Sequence, residues 1–387
     1  MKKKKKIDWL ILGPYLALSL IGLLEVYSAS SYRLLAAGAD TKSLLIRQLI
    51  FILISWLVIA FSYSLKKKYL FHPKLAVYGL SLAIVFLILV KIGLFGVTVN
   101  GAQRWISIFG VQFQPSELAN FCLILYLSWF FRDTFNKPKN ILVPILITGG
   151  TALLVLFQPK IAGALTILLI AGVIFWAAVI PVKEGLYVVG IAVLLLVGTA
   201  ALVMLLGNKG WLPSIFEHAY ERITTLGDPF ADEHGAGYQM SHSYYALYNG
   251  GVLGRGIGNS ITKKGYLPEP ETDFIFSIVT EELGLIGAMF VLLMLFLLCM
   301  RLFYLSTRCK NQQEGLFFLG FGTLLLSQTS MNIGSISGLI PMTGVPLPFV
   351  SYGGTSYLIL SLGIGLSLNC SSRRQAEELP LYRPEKQ

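Results

Sequence analysis

Long apolar segments recur along almost the whole chain, and short polar stretches separate them. Each segment approaches the roughly 20 residues that a helix needs to cross the hydrocarbon core of a bilayer. The pattern therefore predicts an all-α polytopic membrane protein with about ten transmembrane helices. The predicted spans fall at about 7–28, 44–64, 74–94, 115–131, 141–158, 161–180, 185–207, 274–300, 315–338 and 350–369.

One polar stretch is much longer than the others. It covers about residues 208–273, between the predicted seventh and eighth spans, and is rich in Gly, Tyr, His and charged residues. Because loops on a rigid scaffold often carry binding and catalytic groups, we expect the chemistry to lie there. The apolar segments otherwise continue from end to end, so we predict a single membrane domain, 1–387, with a cytoplasmic tail at about 370–387.

Composition and charge agree with a membrane protein. Hydrophobic residues make up 55% of the 387 residues and charged residues 13%, which excludes a water-soluble globular protein. The net charge of +11 comes from short Lys and Arg clusters between apolar segments, so it indicates membrane topology and no nucleic-acid partner. Since positive residues concentrate in cytoplasmic loops, the clusters predict both termini in the cytoplasm and the 208–273 loop outside the cell. The apolar run after Lys2 to Lys6 is expected to remain as the first helix.

Two polar segments lie before the predicted fourth span, one from Asn100 to Trp105 and one from Gln114 to Glu117. Asn-Gly favours a tight turn and Trp suits the membrane interface, so an interfacial turn explains part of this pattern. A carboxylate that begins a membrane helix is costly, however, unless it is paired or hydrated. Arg104, Trp105 and Glu117 are therefore candidate substrate-binding residues, and Arg104 suits a phosphate group.

A glycine-rich segment, 250–258, lies within the long loop. It has no preceding strand and so does not match a nucleotide-binding motif. Glycine backbone amides together with Arg255, Lys263 and Lys264 can approach a phosphate group closely. A flexible loop without a ligand is the alternative, and the sequence leaves both open.

Three carboxylates alternate on the approach to the predicted eighth span, at Glu269, Glu271 and Asp273. Asp273 can cap the helix, but capping does not explain the other two. A carboxylate here can act as a general base or bind a divalent cation such as Mg²⁺ or Mn²⁺, for which Asp273 and Glu271 are the candidate ligands. No organic cofactor is indicated. Membrane depth predicts that Glu281 or Glu282, two turns later, faces a cavity or a partner.

The last polar motif runs from Asn332 to Ser356 and joins the predicted ninth and tenth spans. Gly334 and Gly338 have the spacing of a close helix contact. The prolines of the motif instead indicate a broken or re-entrant segment, which a membrane protein tolerates only where it is buried or lines a cavity. Ser351 in this motif is a further candidate for substrate binding.

These segments, in this order, resemble the SEDS family of bacterial cell-wall proteins. The similarity extends over nearly the whole chain, from NGAQRW and QPSE through TDFIF and EELG to the proline- and glycine-rich segment that ends in SYGGTS. It implies a ten-helix fold that polymerises lipid II into glycan strands together with a class B penicillin-binding protein. By this resemblance Asp273 is the catalytic residue and helps to deprotonate the acceptor sugar hydroxyl, while cations steady the pyrophosphate leaving group.

The segments 258–260, 263–264 and 266–269 are more similar to the division branch of the family than to its elongation branch. The resemblance therefore implies a multi-pass protein of the bacterial cytoplasmic membrane at the division septum. It adds the divisome proteins FtsL, FtsB/DivIC and FtsQ/DivIB as partners and Glu269 as a candidate substrate-binding residue. A lipid II flippase and a non-catalytic division scaffold remain alternative functions.

Two residues depart from the family pattern. Lys160 follows Gln158 and Pro159 where relatives commonly have an acidic residue, and Glu271 stands where many have His. We expect Lys160 near the outer interface, where its side chain can extend towards water. Glu271 places a second negative charge close to Asp273, which either raises the pKa of Asp273 or favours a metal ion.

Overall fold

The computed structural model describes residues 6–66, 69, 71–92, 96–99, 102–108, 111–133, 140–158, 160–213, 217–235 and 237–378. The predicted features at Lys2 to Lys5, Asn100, Gly101, Pro159 and the tail from 379 lie outside these ranges. Within them the chain forms twelve helices and three strands. The helices are Trp9–Ala36 (α1), Ser43–Ser64 (α2), Pro73–Ile92 (α3), Pro115–Phe130 (α4), Leu142–Leu156 (α5), Ile161–Ala178 (α6), Val182–Asn208 (α7), Glu217–Gly227 (α8), Tyr238–Gly250 (α9), Ile275–Arg308 (α10), Gln312–Ile336 (α11) and Gly354–Glu378 (α12).

Every predicted span coincides with one of these helices, so the expectation of a mainly helical polytopic protein is confirmed. Among the described residues, seven helices are long and apolar enough to cross a membrane, namely α1, α2, α3, α6, α7, α10 and α11. Of the other three predicted spans, α4 has 16 residues and α5 has 15. The third, α12, continues to Glu378, so helix replaces the first part of the predicted tail.

The connection between α3 and α4 forms a three-stranded antiparallel sheet of Gly96–Val99 (β1), Ala102–Ile108 (β2) and Val111–Phe113 (β3). The expectation of an all-α protein was therefore wrong at this point. Val99 pairs with Ala102, so only the sequence Asn-Gly separates β1 from β2, and this dipeptide is the strongest short hairpin signal. Ile106 in the middle strand is buried, as expected for one face of a period-two pattern.

Helix α11 lies at the centre of the bundle and packs against α10, α6 and α4. Two further pairs, α1 with α10 and α2 with α12, extend the packing. At one end of α1, Asp8 accepts three hydrogen bonds from Arg301, and at the other end Arg33 pairs with Glu271. We call these the Asp8 end and the Asp273 end of the bundle. The described side chains in the most apolar part of α7 are not buried against the protein, so this helix presents an apolar surface.

Helix α10 is interrupted at Gly284, whose φ of 69° and ψ of −172° are not helical. The loop segment 251–256 pairs with the backbone groups that this break leaves free. Before the break, the Arg255 amide donates to the Glu281 carbonyl and the Gly256 amide donates to the Glu282 carbonyl. After the break, the Leu285 amide donates to the Gly251 carbonyl and the Ile286 amide donates to the Val252 carbonyl. A Cβ atom at Gly284 would lie 2.3 Å from the backbone nitrogen of Gly254, so this close approach requires glycine.

Candidate functional site

Asp273 lies two residues before Ile275, the first residue of α10, and the motif from Asn332 to Ser356 holds the backbone around it. Three successive carbonyl groups each accept a hydrogen bond from this motif, at 2.7 to 2.9 Å: that of Glu271 from the Tyr352 amide, that of Thr272 from the Ser351 hydroxyl and that of Asp273 from the Asn332 side-chain amide. The predicted re-entrant segment is therefore a clamp on residues 271–273. Helix contact at Gly334 and Gly338 alone does not explain this arrangement.

The carboxyl group of Asp273 is partly buried and lies beside Gly344, since a Cβ atom at Gly344 would be 3.4 Å from Asp273 Oδ2. Burial and the negative charge of Glu269 raise the pKa of Asp273, the positive charges of Lys160 and Arg104 lower it, and the net pKa is about 6. A carboxyl group with a pKa near neutrality can accept a proton at the pH of a cell. The site therefore has the electrostatics of a general base.

Arg104 and Trp105 lie on β2 and are partly buried. Arg104 donates from Nε to the Gln158 carbonyl at 3.0 Å, and its charge acts on Asp273. The sheet therefore brings a guanidinium group from the α3–α4 connection to the Asp273 end of the bundle. The charges of Arg104, Lys160 and Glu269 thus all act on the carboxyl group of Asp273.

Lys160 and Glu117 form a buried ion pair at 3.1 Å, so the expectation that Lys160 extends towards water was wrong. The carboxylate of Glu117 also accepts from Gln328 Nε2 at 2.8 Å. A buried charge is tolerated when it is paired and hydrogen-bonded, as both are here. Glu117 therefore has protein partners for both of its oxygens, and its predicted role in substrate binding stays a prediction.

Glu271 is buried and its carboxylate pairs with Arg33 at the end of α1. This ion pair neutralises the charge that the sequence placed two residues from Asp273. The carboxylate that raises the pKa of Asp273 is that of Glu269. The backbone of Glu269 adopts a φ of 51°, a left-handed conformation that is uncommon outside glycine.

Glu281 and Glu282 both hold the long loop, so neither faces an open cavity. Each is buried, with four or more hydrogen bonds from the protein. Glu281 accepts from the hydroxyls of Ser260 and Thr262, the amides of Ile261 and Thr262, and Asn249 Nδ2. Glu282 accepts from the Ser28 hydroxyl, the amides of Gly258 and Ser260, and Lys263 Nζ.

The basic glycine-rich segment, together with Lys263, attaches the long loop to Glu281 and Glu282 of α10, and we call this attachment the loop anchor. The amides of Arg255, Gly256 and Gly258 bond to Glu281 or Glu282, so they are not available to a phosphate group. Lys263 is buried and its ammonium group donates to Ser28 Oγ and Glu282 Oε1, both at 2.7 Å. A substrate contact by Lys263 would have to break this pair. The side chains of Arg255 and Lys264 are exposed, and their predicted substrate role stays a prediction.

Ser351 is buried, and its hydroxyl donates to the Thr272 carbonyl and accepts from the Leu347 amide at 2.8 Å. We expect Ser351→Ala to lower the free energy of unfolding by about 1–3 kcal/mol, because it leaves the partly buried Thr272 carbonyl and the buried Leu347 amide without this partner. Thermal unfolding of the purified protein in detergent measures the change. Ser337→Ala, at an exposed serine, is the matched control, and equal midpoints for the two variants would contradict the clamp.

Sequence reasoning did not single out Asn332 or Gln328, although both hold carboxylate-bearing residues of the site. They lie one turn apart on α11 and are buried. The available signal was two amide side chains, four residues apart, on one face of a membrane helix. Such polar groups inside an apolar helix require partners.

The bundle and its Asp273 end define a multi-pass helical membrane protein with a carboxylate site at one end. A family model described as a cell cycle protein, for FtsW, RodA and SpoVE, matches residues 8–376. The chain therefore belongs to the FtsW/RodA/SpoVE family, the SEDS family that its motifs resemble.

Individual relatives agree with this assignment. The probable peptidoglycan glycosyltransferase FtsW of Enterococcus hirae is 64% identical over 100% of this chain and 98% of the relative. That of Bacillus subtilis is 31% identical over 96% of this chain and 92% of the relative. Among solved structures, a chain of a peptidoglycan synthase complex that coordinates polymerization and crosslinking matches with a TM-score of 0.70 and 28% identity, over 95% and 98% of the two chains. The rod shape determining protein RodA of Thermus thermophilus matches with a TM-score of 0.65 and 26% identity, over 95% and 97%.

Proposed function

We propose that the protein is a peptidoglycan glycosyltransferase that polymerises lipid II into glycan strands during septal cell-wall synthesis. The relatives named as probable peptidoglycan glycosyltransferases cover the whole chain, which supports this activity. The observation that carries the proposal is Asp273, a partly buried carboxyl group with a pKa of about 6. Asn332 binds its backbone carbonyl, and the positive charges of Lys160 and Arg104 act on its carboxyl group.

In the proposed reaction, the acceptor sugar hydroxyl attacks the anomeric carbon of the lipid-linked donor. Asp273 accepts the hydroxyl proton as the new carbon–oxygen bond forms. The bond from the anomeric carbon to the pyrophosphate oxygen breaks, and the polyprenyl pyrophosphate leaves with the electron pair. Arg104, whose charge acts at the Asp273 end, offsets the charge that develops on this leaving group.

We further propose a topology of ten spans, with both termini in the cytoplasm and the loop 208–273 outside the cell, in one membrane domain. The positive clusters support this orientation. It places Asp273 at the outer face of the cytoplasmic membrane, where a growing wall is accessible. Localisation at the septum is supported by the similarity to relatives named FtsW.

A divalent cation at Asp273 remains a prediction. The described residues contain no group of three or more His, Cys, Asp or Glu side chains that could hold a metal ion, and Glu271 pairs with Arg33. These donors do not fit a protein-built metal site, and we derive no step through a metal ion.

A class B penicillin-binding protein is the partner that we propose for crosslinking the strands. The similar solved chain comes from a complex that coordinates polymerization and crosslinking, which supports such a pairing. FtsL, FtsB/DivIC and FtsQ/DivIB are proposed partners on the strength of the division-type resemblance.

The test of the function is reconstitution. The purified chain, with its penicillin-binding partner, should convert lipid II into glycan polymer that a muramidase digests. Lipid II movement across proteoliposomes without polymer formation would favour a flippase, and normal growth on a catalytically dead variant would favour a scaffold. Glu282, a residue on which transport could depend, is already bound by four protein groups.

The rate of polymerisation should depend on pH through Asp273. Because a general base works only when it is ionised, kcat/KM, which reports ionisations of the free enzyme, should rise as the pH passes through about 6 and level off above it. The negative charge of Glu269 raises the pKa of Asp273, so Glu269→Gln should move this limb to lower pH. A rate profile measured between pH 5 and 8 in steps of about half a unit tests both statements. A limb that moves to higher pH in Glu269→Gln would contradict the assignment.

A further inference from the structure

Lys160 lies at the centre of a buried polar cluster between α4, α6 and α11. Its side chain is 6% exposed and that of Glu117 is 4% exposed. Its ammonium group donates to Gln114 Oε1 at 3.0 Å, Ser116 Oγ at 3.0 Å and Glu117 Oε1 at 3.1 Å. Because an ammonium group has three donors, all of them are used within the protein. A direct contact between Lys160 and a substrate would have to break this set.

The cluster continues along α11 to the backbone of Asp273. The second oxygen of Glu117 accepts from Gln328 Nε2 at 2.8 Å. One turn later on α11, Asn332 Nδ2 donates to the Asp273 carbonyl at 2.9 Å and to the Val345 carbonyl at 2.8 Å. Gln328 and Asn332 lie four residues apart, on one face of the helix. Hydrogen bonds from Lys160 to Gln328, one turn of α11 from Gln328 to Asn332, and the hydrogen bond of Asn332 therefore connect Lys160 to the backbone of Asp273.

The turn before α6 also positions Arg104. Arg104 Nε donates to the carbonyl of Gln158, two residues before Lys160, at 3.0 Å. The end of β3 and the start of α4 supply Gln114 and Ser116, which both bind Lys160. The ammonium group thus ties the sheet-to-helix junction to the turn that carries Arg104. Both cations also act on the charge of Asp273.

We propose that Lys160 is a positioning residue for the Asp273 site, acting through Glu117, Gln328 and Asn332. The inference rests on the proposed function, because its consequence is a rate of polymerisation. Lys160 exchanges no proton with the substrate; it fixes α11 and the turn before α6 relative to each other. An acidic side chain at this position would face Glu117 with like charge, so this arrangement of the site requires a cation.

The experiment compares the kcat and KM for lipid II of the full-length chain, purified with its penicillin-binding partner, in four variants. Lys160→Met leaves Glu117 as an unpaired buried charge and can fail to fold for that reason alone. The double variant Glu117→Gln with Lys160→Met removes both charges and restores neutrality. Lys160→Arg keeps the cation and several donors, and Lys209→Met, at an exposed lysine, is the matched control.

The double variant should retain the thermal unfolding midpoint of the wild type to within a few degrees. Its kcat should still fall by about 10-fold to 10²-fold, because small displacements at a reacting centre have effects of this size. Its KM should stay within about twofold, since in this arrangement both Lys160 and Glu117 are buried and bound by protein groups. Lys160→Arg and Lys209→Met should keep most of the wild-type kcat.

Two outcomes would overturn the inference. A double variant with wild-type kcat would show that Lys160 only balances the charge of Glu117, and a raised KM with unchanged kcat would show that the Lys160–Glu117 pair acts in substrate binding and not in positioning. The proposed function fails separately, if the wild type makes no polymer or if Asp273→Asn is as active as the wild type. In either of those cases the measurements on the wild type and on Asp273→Asn contradict the proposed function, whatever the Lys160 variants show.

Discussion

Asp273→Asn is expected to lower kcat for lipid II polymerisation by about 10²-fold to 10⁴-fold, the usual contribution of a general base. Asn has nearly the same shape as Asp, so the Asp273 carbonyl can keep its hydrogen bond from Asn332. The amide cannot accept the hydroxyl proton, and the reaction loses its base. Polymer length and yield from purified lipid II, with the penicillin-binding partner present, measure the loss.

The matched control is Asp228→Asn. Asp228 lies in the same loop, is exposed, and accepts from the Phe230 amide at 3.1 Å, a bond that the Asn side-chain oxygen can retain. This variant should polymerise at the wild-type rate. If Asp273→Asn also polymerises normally while its unfolding midpoint is unchanged, Asp273 is not the base.

Glu282→Ala is expected to lower the free energy of unfolding by about 3–5 kcal/mol, the cost of breaking a buried ion pair by removing one partner. Lys263 would keep a buried positive charge, and the amides of Gly258 and Ser260 would lose their acceptor. The midpoint of thermal unfolding in detergent should fall accordingly. The segment around Lys263 should also become open to trypsin, which cleaves after lysine.

Two controls separate the ion pair from general damage to the protein. Glu184→Ala, at an exposed glutamate of α7, should leave the midpoint unchanged. Replacing Lys263 and Glu282 together by Met should recover part of the stability, because no unpaired charge remains. A midpoint for Glu282→Ala equal to that of Glu184→Ala would show that the anchor does not stabilise the loop.

The membrane helices could be predicted because the length of each apolar segment is sufficient to identify them. A window of about 20 apolar residues has few alternatives in a bilayer. The segment between α3 and α4, for which the sequence pattern indicates an interfacial turn, forms a sheet, and Asn-Gly between β-prone residues is the hairpin signal that indicates it. The pattern of apolar segments also does not predict the break in α10 at Gly284, because the break depends on hydrogen bonds with the backbone of the loop segment 251–256.

The candidate site was predictable to a smaller extent. Asp273 stands out locally, as one of three alternating carboxylates before a helix. The sequence does not reveal the partners of Lys263, Glu271 and Lys160, because each partner lies far away along the chain. Ser28 is 235 residues from Lys263, and Arg33 is 238 residues from Glu271. Charge and residue type indicate that a buried cation needs a partner. They do not identify the partner, and for Lys263 the sequence favoured a substrate over a carboxylate.

The loop anchor also sets the order in which the molecule can be completed during synthesis. Ser28 leaves the ribosome 254 residues before Glu282, its hydrogen-bonding partner. The first helix must therefore wait in the membrane, with Ser28 and Arg33 unpartnered, until most of the chain has been translated. The loop likewise waits for the two halves of α10 on which it closes. A chain truncated before residue 281 would contain Asp273 and every helix up to α9, yet it could not assemble the Asp273 end of the bundle.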